Sequence, residues 1–143
     1  MRNDEFDKMI DRADWPGVGQ ILIDHPGYTR HLVSRLHHPG KEKQRRTLEA
    51  FQIAAKVLDR ERTLDLLRRL MWMLNEESGN FCPQASLAVG HIAQVDPEAV
   101  KPHLPSLQVY AEDPSELMRF PARKAVSLVQ RALKRHGSTR GTP

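Results

Sequence analysis

Met71-Trp72-Met73-Leu74-Asn75-Glu76-Glu77-Ser78-Gly79-Asn80-Phe81-Cys82-Pro83-Gln84-Ala85 reads as the end of one apolar helix, a polar turn holding two adjacent carboxylates, and the proline-marked start of the next helix. Helix pairs of this kind recur on both sides of it. Upstream, Leu64, Leu67, Leu70, Met71 and Leu74 share one broad face opposite Glu61, Asp65 and Arg68, with Trp72 on the polar side. Before that, Leu48, Phe51, Ala54, Ala55 and Leu58 run opposite Arg45, Glu49, Gln52 and Lys56, which predicts a half-buried helix over 41–58. Downstream, residues 83–95 are compact and alanine-rich. Asp96-Pro97 opens a further helical stretch, and Asp113-Pro114 breaks it before a last helix carrying Ala122, Ala125, Val126, Val129 and Leu133.

The N-terminal part predicts three short helices. Phe6, Met9 and Ile10 recur at the helical period. Asp14-Trp15-Pro16 supplies an N-cap and an early proline for Val18, Ile21 and Leu22, and Tyr28 to Leu36 forms the third. His25-Pro26-Gly27 and His37-His38-Pro39-Gly40 close the second and third. The chain therefore divides into one helical domain, 1–136, and a tail, 137–143, with nothing to bury and expected to be disordered.

A chain of 143 residues is long enough for one domain that buries about 68 to 70% of its unfolded surface without a metal or disulfide. With 39% hydrophobic and 28% charged residues, it reads as globular rather than disordered or membrane-embedded. No segment is apolar enough to span a bilayer, and no signal-peptide run opens the chain, so the expected location is cytoplasmic. The single cysteine, Cys82, rules out an intrachain disulfide and is expected to pack as a small residue rather than act as a redox thiol. A net charge of +4 permits an acidic partner without demanding one.

Laid over one another, Ala50, Ala85 and Ala122 match, as do Ile53, Ala88 and Ala125, then Ala54, Val89 and Val126, then Val57, Ile92 and Val129. Two helices per period and an alanine-plus-aliphatic second helix suit a stacked solenoid, in which each pair buries its face only against its neighbours. The last unit resembles the HEAT-repeat family: Asp113-Pro114, then Arg119 six residues after the aspartate, then Ala122, Ala125 and Val126. The middle unit is similar in Val89-Gly90-His91-Ile92-Ala93, with Glu76 where the aspartate is expected and Cys82 where the arginine is expected. The resemblance implies an all-α, HEAT-like right-handed solenoid of about three helix pairs with extra N-terminal helices. It also implies a protein that binds another macromolecule, although relatives in that family include bilin lyases and alkylpurine DNA glycosylases.

No constellation here identifies a reaction. The two glutamates lack a second catalytic group, Ser78 lacks a nucleophile-elbow context, and the seven histidines form no His-x-x-x-His pair, so neither catalytic nor metal nor cofactor residues are assigned. The reading is a non-catalytic protein-binding adaptor or regulatory subunit whose partner surface is Trp72, Asn75, Glu76, Glu77, Ser78 and Asn80. The bland reading has the carboxylates resting near the positive N-terminus of the helix that starts around Cys82, with Trp72 packed beneath the turn. The alternative from another class is nucleic-acid binding through a mildly basic groove of Arg45, Lys56, His91, Arg123 and Lys134, with His91 solvated.

Overall fold

The computed structural model describes the backbone of residues 3–141 and the side chains of residues 3–137. The described residues form helices and connecting turns with no strand: α1 Asn3–Asp11, α2 Trp15–Asp24, α3 Thr29–Ser34, α4 Lys41–Val57, α5 Arg60–Trp72, α6 Ala85–Ala93, α7 Pro97–Val100, α8 Leu104–Tyr110 and α9 Glu116–Gly141. Short 3₁₀ turns, among them Pro26–Tyr28 and Glu76–Ser78, join several of them. None of these helices is long and apolar enough to cross a membrane.

Aspartates start three of the helices in the way the sequence dictates. The side chains of Asp14, Asp59 and Asp96 accept hydrogen bonds from the backbone N–H groups of Gly17, Arg62 and Ala99, which would otherwise be unpaired first-turn donors. Proline follows directly at the start of α7 and within the first turn of α2, where its missing N–H costs nothing.

Four helices form one row. α4 packs between α2 and α6, and α6 packs between α4 and α9; α5 covers α6, and α8 covers α9. The matched alanines sit inside the row, with Ala50, Ala85 and Ala122 fully buried together with Ala54, Ala88 and Ala125. Small side chains are what let these helices approach. A Cβ on Gly90 of α6 would lie 3.2 Å from the Ala125 backbone and 3.0 Å from Leu128, so glycine suits this crossing. Further along the same seam, Gln94 donates to the Leu128 carbonyl at 3.2 Å and accepts from Arg135 at 2.9 Å, so α6 and α9 run in the same direction.

The N-terminal helices are fastened by a buried arginine rather than by apolar contact alone. Arg35, 9% exposed, donates through Nε to Thr47 on α4, through Nη1 to Asp7 and through Nη2 to Asp11 on α1. His31 meets Asp7 at 2.7 Å and Lys43 meets Asp11 at 2.8 Å, so both carboxylates are shared. Pairing of this quality is what makes a buried guanidinium tolerable. At the other end, α9 continues through Gly141, past the boundary at 136 drawn from the sequence; Thr142 and Pro143, assigned with it to the tail, lie outside the described residues.

Candidate functional site

α5 delivers the site. Leu66, Leu67 and Leu70 on its inner face, followed by Met73 and Leu74, are buried, and this spacing fixes the rotation of the helix. Trp72 falls between the inward positions and stands 54% exposed, which corrects the expectation that it packs beneath the turn. The turn that follows closes on itself. Asn75 Oδ1 accepts from the Glu77 N–H at 2.9 Å, Ser78 Oγ accepts from the Asn80 N–H at 3.1 Å, and Gly79 takes the left-handed conformation with φ 77° that reverses the chain. The Cys82 N–H then returns to the Met73 carbonyl at 2.9 Å.

Cys82 seals this junction from inside. It is 4% exposed, its Sγ–H points to the Leu36 carbonyl at 3.7 Å, and burial pushes the thiol pKa up. It packs; a thiolate at this position is disfavoured.

The carboxylates have no such duty. Glu76 and Glu77 are exposed, and neither makes an ion pair or side-chain hydrogen bond with a described residue. The first N–H groups of α6 are already taken, since those of Ala85, Ser86 and Leu87 donate to the Cys82, Pro83 and Gln84 carbonyls. Neither glutamate therefore caps α6 through a hydrogen bond.

Two clefts flank this turn and adjoin at Asn75 and Tyr110. The first, of about 440 Å³, lies between the end of α5 and α8, with Met71 and Trp72 facing His103, Ser106 and Val109. The second, of about 380 Å³, separates Glu76, Glu77 and Phe81 from Asp113, Ser115 and Leu117 at the α8–α9 turn. Val109 is 72% exposed and Leu117 76%, so with Trp72 and Phe81 they leave apolar surface open to water on both sides of an acidic rim. His103 in the first cleft has its pKa lowered by burial and then by nearby Arg68, which favours the neutral imidazole.

Of the six residues expected to bind a partner, Trp72, Asn75, Glu76 and Glu77 line these clefts, while Ser78 and Asn80 hold the turn. On the opposite wall, Asp113 was read only as a turn residue, and Val109, Tyr110 and Leu117 carry no binding signal in the sequence, because they meet this turn only through the way α8 and α9 pack.

The five residues read as a basic groove meet different surroundings. Arg45 spends its guanidinium on Glu42 at 2.6 Å and Glu49 at 3.3 Å. Arg123 turns away to donate to the Ala111 carbonyl at 2.9 Å, at the end of α8. His91 is half-buried rather than solvated; it bonds to Gln52 at 2.8 Å, and burial, then Lys124, lower its pKa. Lys56 and Lys134 are exposed. Lys124, one residue past Arg123, is the cation that α9 presents beside His91.

Among the described residues no three His, Cys, Asp or Glu side chains converge on a metal-sized site. Comparison with protein-family models, curated proteins and solved structures finds no match for this chain.

Proposed function

We propose that the chain is a HEAT-like right-handed α-solenoid of about three helix pairs with extra N-terminal helices, acting without catalysis as a protein-binding adaptor or regulatory subunit. Support for the solenoid comes from the row of α2, α4, α6 and α9 with its matched buried alanines and from the covering helices α5 and α8. The binding surface is the pair of clefts around Trp72, Glu76 and Glu77. The observation that carries it is the coincidence of exposed Trp72, Val109 and Leu117 with two carboxylates that have no partner among the described residues.

Charge complementarity selects the occupant: a protein segment with apolar side chains for the Trp72–Val109 cleft and lysines or arginines for the Glu76–Asp113 cleft. A nucleic acid would meet carboxylates here, and among the basic residues read for it Arg45 is paired with Glu42 and Arg123 donates to the Ala111 carbonyl.

Selection from a random peptide library tests the proposal, with the natural chain compared against a Trp72→Ser, Val109→Ser variant. Enriched peptides should combine Lys or Arg with apolar residues and should bind the variant at least about tenfold more weakly. Peptides without basic residues, or peptides that bind both proteins equally, would overturn it.

A further inference from the structure

A third cleft, formed by an earlier stretch of α5 and the Pro26–Gly27 turn, has the opposite charge. It lies where the Pro26–Gly27 turn and the start of α3 meet α5, and it has a volume of about 340 Å³. Thr29 and Arg30 stand on one side, Arg62, Asp65 and Arg69 on the other, and Leu66, 3% exposed, closes the floor. The α5 residues share one face because they recur at three- and four-residue spacing.

Three guanidiniums thus face one carboxylate, and that carboxylate, Asp65, is already held by Arg68. Arg62 pairs with Asp59 at the helix start. Arg30 and Arg69 have no ion pair or side-chain hydrogen bond with any described residue. Two unengaged forks on opposite walls of a cleft are suited to bidentate contacts with a tetrahedral oxyanion, and the Thr29 hydroxyl adds a neutral donor.

We propose that this cleft binds a small phosphate monoester, with Arg30 and Arg69 gripping the phosphate from opposite walls and Arg62 supplementing the charge. A phosphate monoester carries nearly two negative charges at pH 7, which matches the local cationic excess. The cleft has room for more than the phosphate itself, so the ligand brings a small organic body. A continuing nucleic-acid strand fits less well, because a cleft of about 340 Å³ holds one phosphate and a small body rather than a run of nucleotides.

The test is titration of the full chain with glycerol 3-phosphate, inorganic phosphate, glycerol and a single-stranded oligonucleotide, followed by amide chemical shifts. Both phosphates should saturate with shifts centred on 27–30 and 62–69, and glycerol should give none. Arg30→Gln and Arg69→Gln should each weaken binding about tenfold, and Arg69→Lys should also weaken it because the fork is lost while the charge stays. Arg131→Gln, which removes an exposed α9 charge, should leave affinity unchanged. Failure of both phosphates to saturate, equal binding by the Arg30 and Arg69 variants, or a loss in Arg131→Gln as large as theirs would overturn the site. Tighter binding per phosphate by the oligonucleotide would replace the monoester with a nucleic acid.

Discussion

The turn between α8 and α9 and the turn between α5 and α6 join helices in equivalent places with different chemistry. At the first, Arg119 reaches back and donates to the Asp113 and Pro114 carbonyls, both at 3.1 Å, while the Asp113 side chain accepts from the Ser115 N–H. A cation holds the backbone, and the carboxylate is occupied. At the second, Cys82 stands where that arginine would be, and closure falls to Asn75, Ser78, Gly79 and a backbone bond to Met73. Short polar groups do the fastening, so Glu76 and Glu77 are left for whatever comes from outside. The difference teaches that a turn closed by short polar groups leaves its carboxylates available, whereas the turn closed by an internal cation keeps its carboxylate occupied.

The strongest way to break the comparison is Cys82→Arg, which restores the arginine of the α8–α9 turn. The position is nearly sealed, with only the Leu36 carbonyl at hand, so the larger, charged side chain should cost about 3 kcal/mol or more in urea unfolding. Retained stability would mean that the two turns are interchangeable. Next comes Arg119→Ala, which strips two carbonyls of their donor; a loss of about 1 to 3 kcal/mol is expected by the same measurement. Gly79→Ala probes the other turn. Its φ of 77° is unfavourable for a side chain although the space around it is open, so the cost should be about 1 kcal/mol, read as a lowered melting temperature. The smallest effect on stability belongs to Glu76→Gln with Glu77→Gln, within about 0.5 kcal/mol, while capture of the selected basic peptides and its salt sensitivity both fall. A large stability loss with capture intact would return these carboxylates to a structural role.

Local periodicity explains how much of this could be read before any coordinates. The helices over 41–58 and 83–95 were legible because apolar residues recur on one face, and the burial of Ala50, Ala85 and Ala122 followed from their matched spacing. Half of the candidate site was legible too, since Glu76 and Cys82 depart from the pattern at Asp113 and Arg119. Trp72 carried its answer in the helical wheel, which put it on the polar side; the general tendency of tryptophan to be buried pulled the expectation the other way. Val109 and Leu117 could not be found locally, because their meaning depends on which helix α8 lies against. Side-chain direction on α9 was not legible to the single residue: adjacent positions on a helix differ by about 100°, so Arg123 and Lys124 face different neighbours. Arg35, within the predicted helix from Tyr28 to Leu36, gave no hint of the three partners that arrive from α1 and α4.

The bond from Gln94 to the Leu128 carbonyl and the close passage of Gly90 over Ala125 have a mechanical meaning. Sliding α9 along α6 would break the one and collide the other, so the seam resists shear. Each helix carries one of the two turns at its start, and a seam that cannot slip holds Glu76 and Glu77 at a fixed separation from Asp113 and Leu117. The cleft is thus preorganised: were the proposed partner segment to dock, the loss of conformational freedom would fall on that segment, since this chain contributes a surface already set in place.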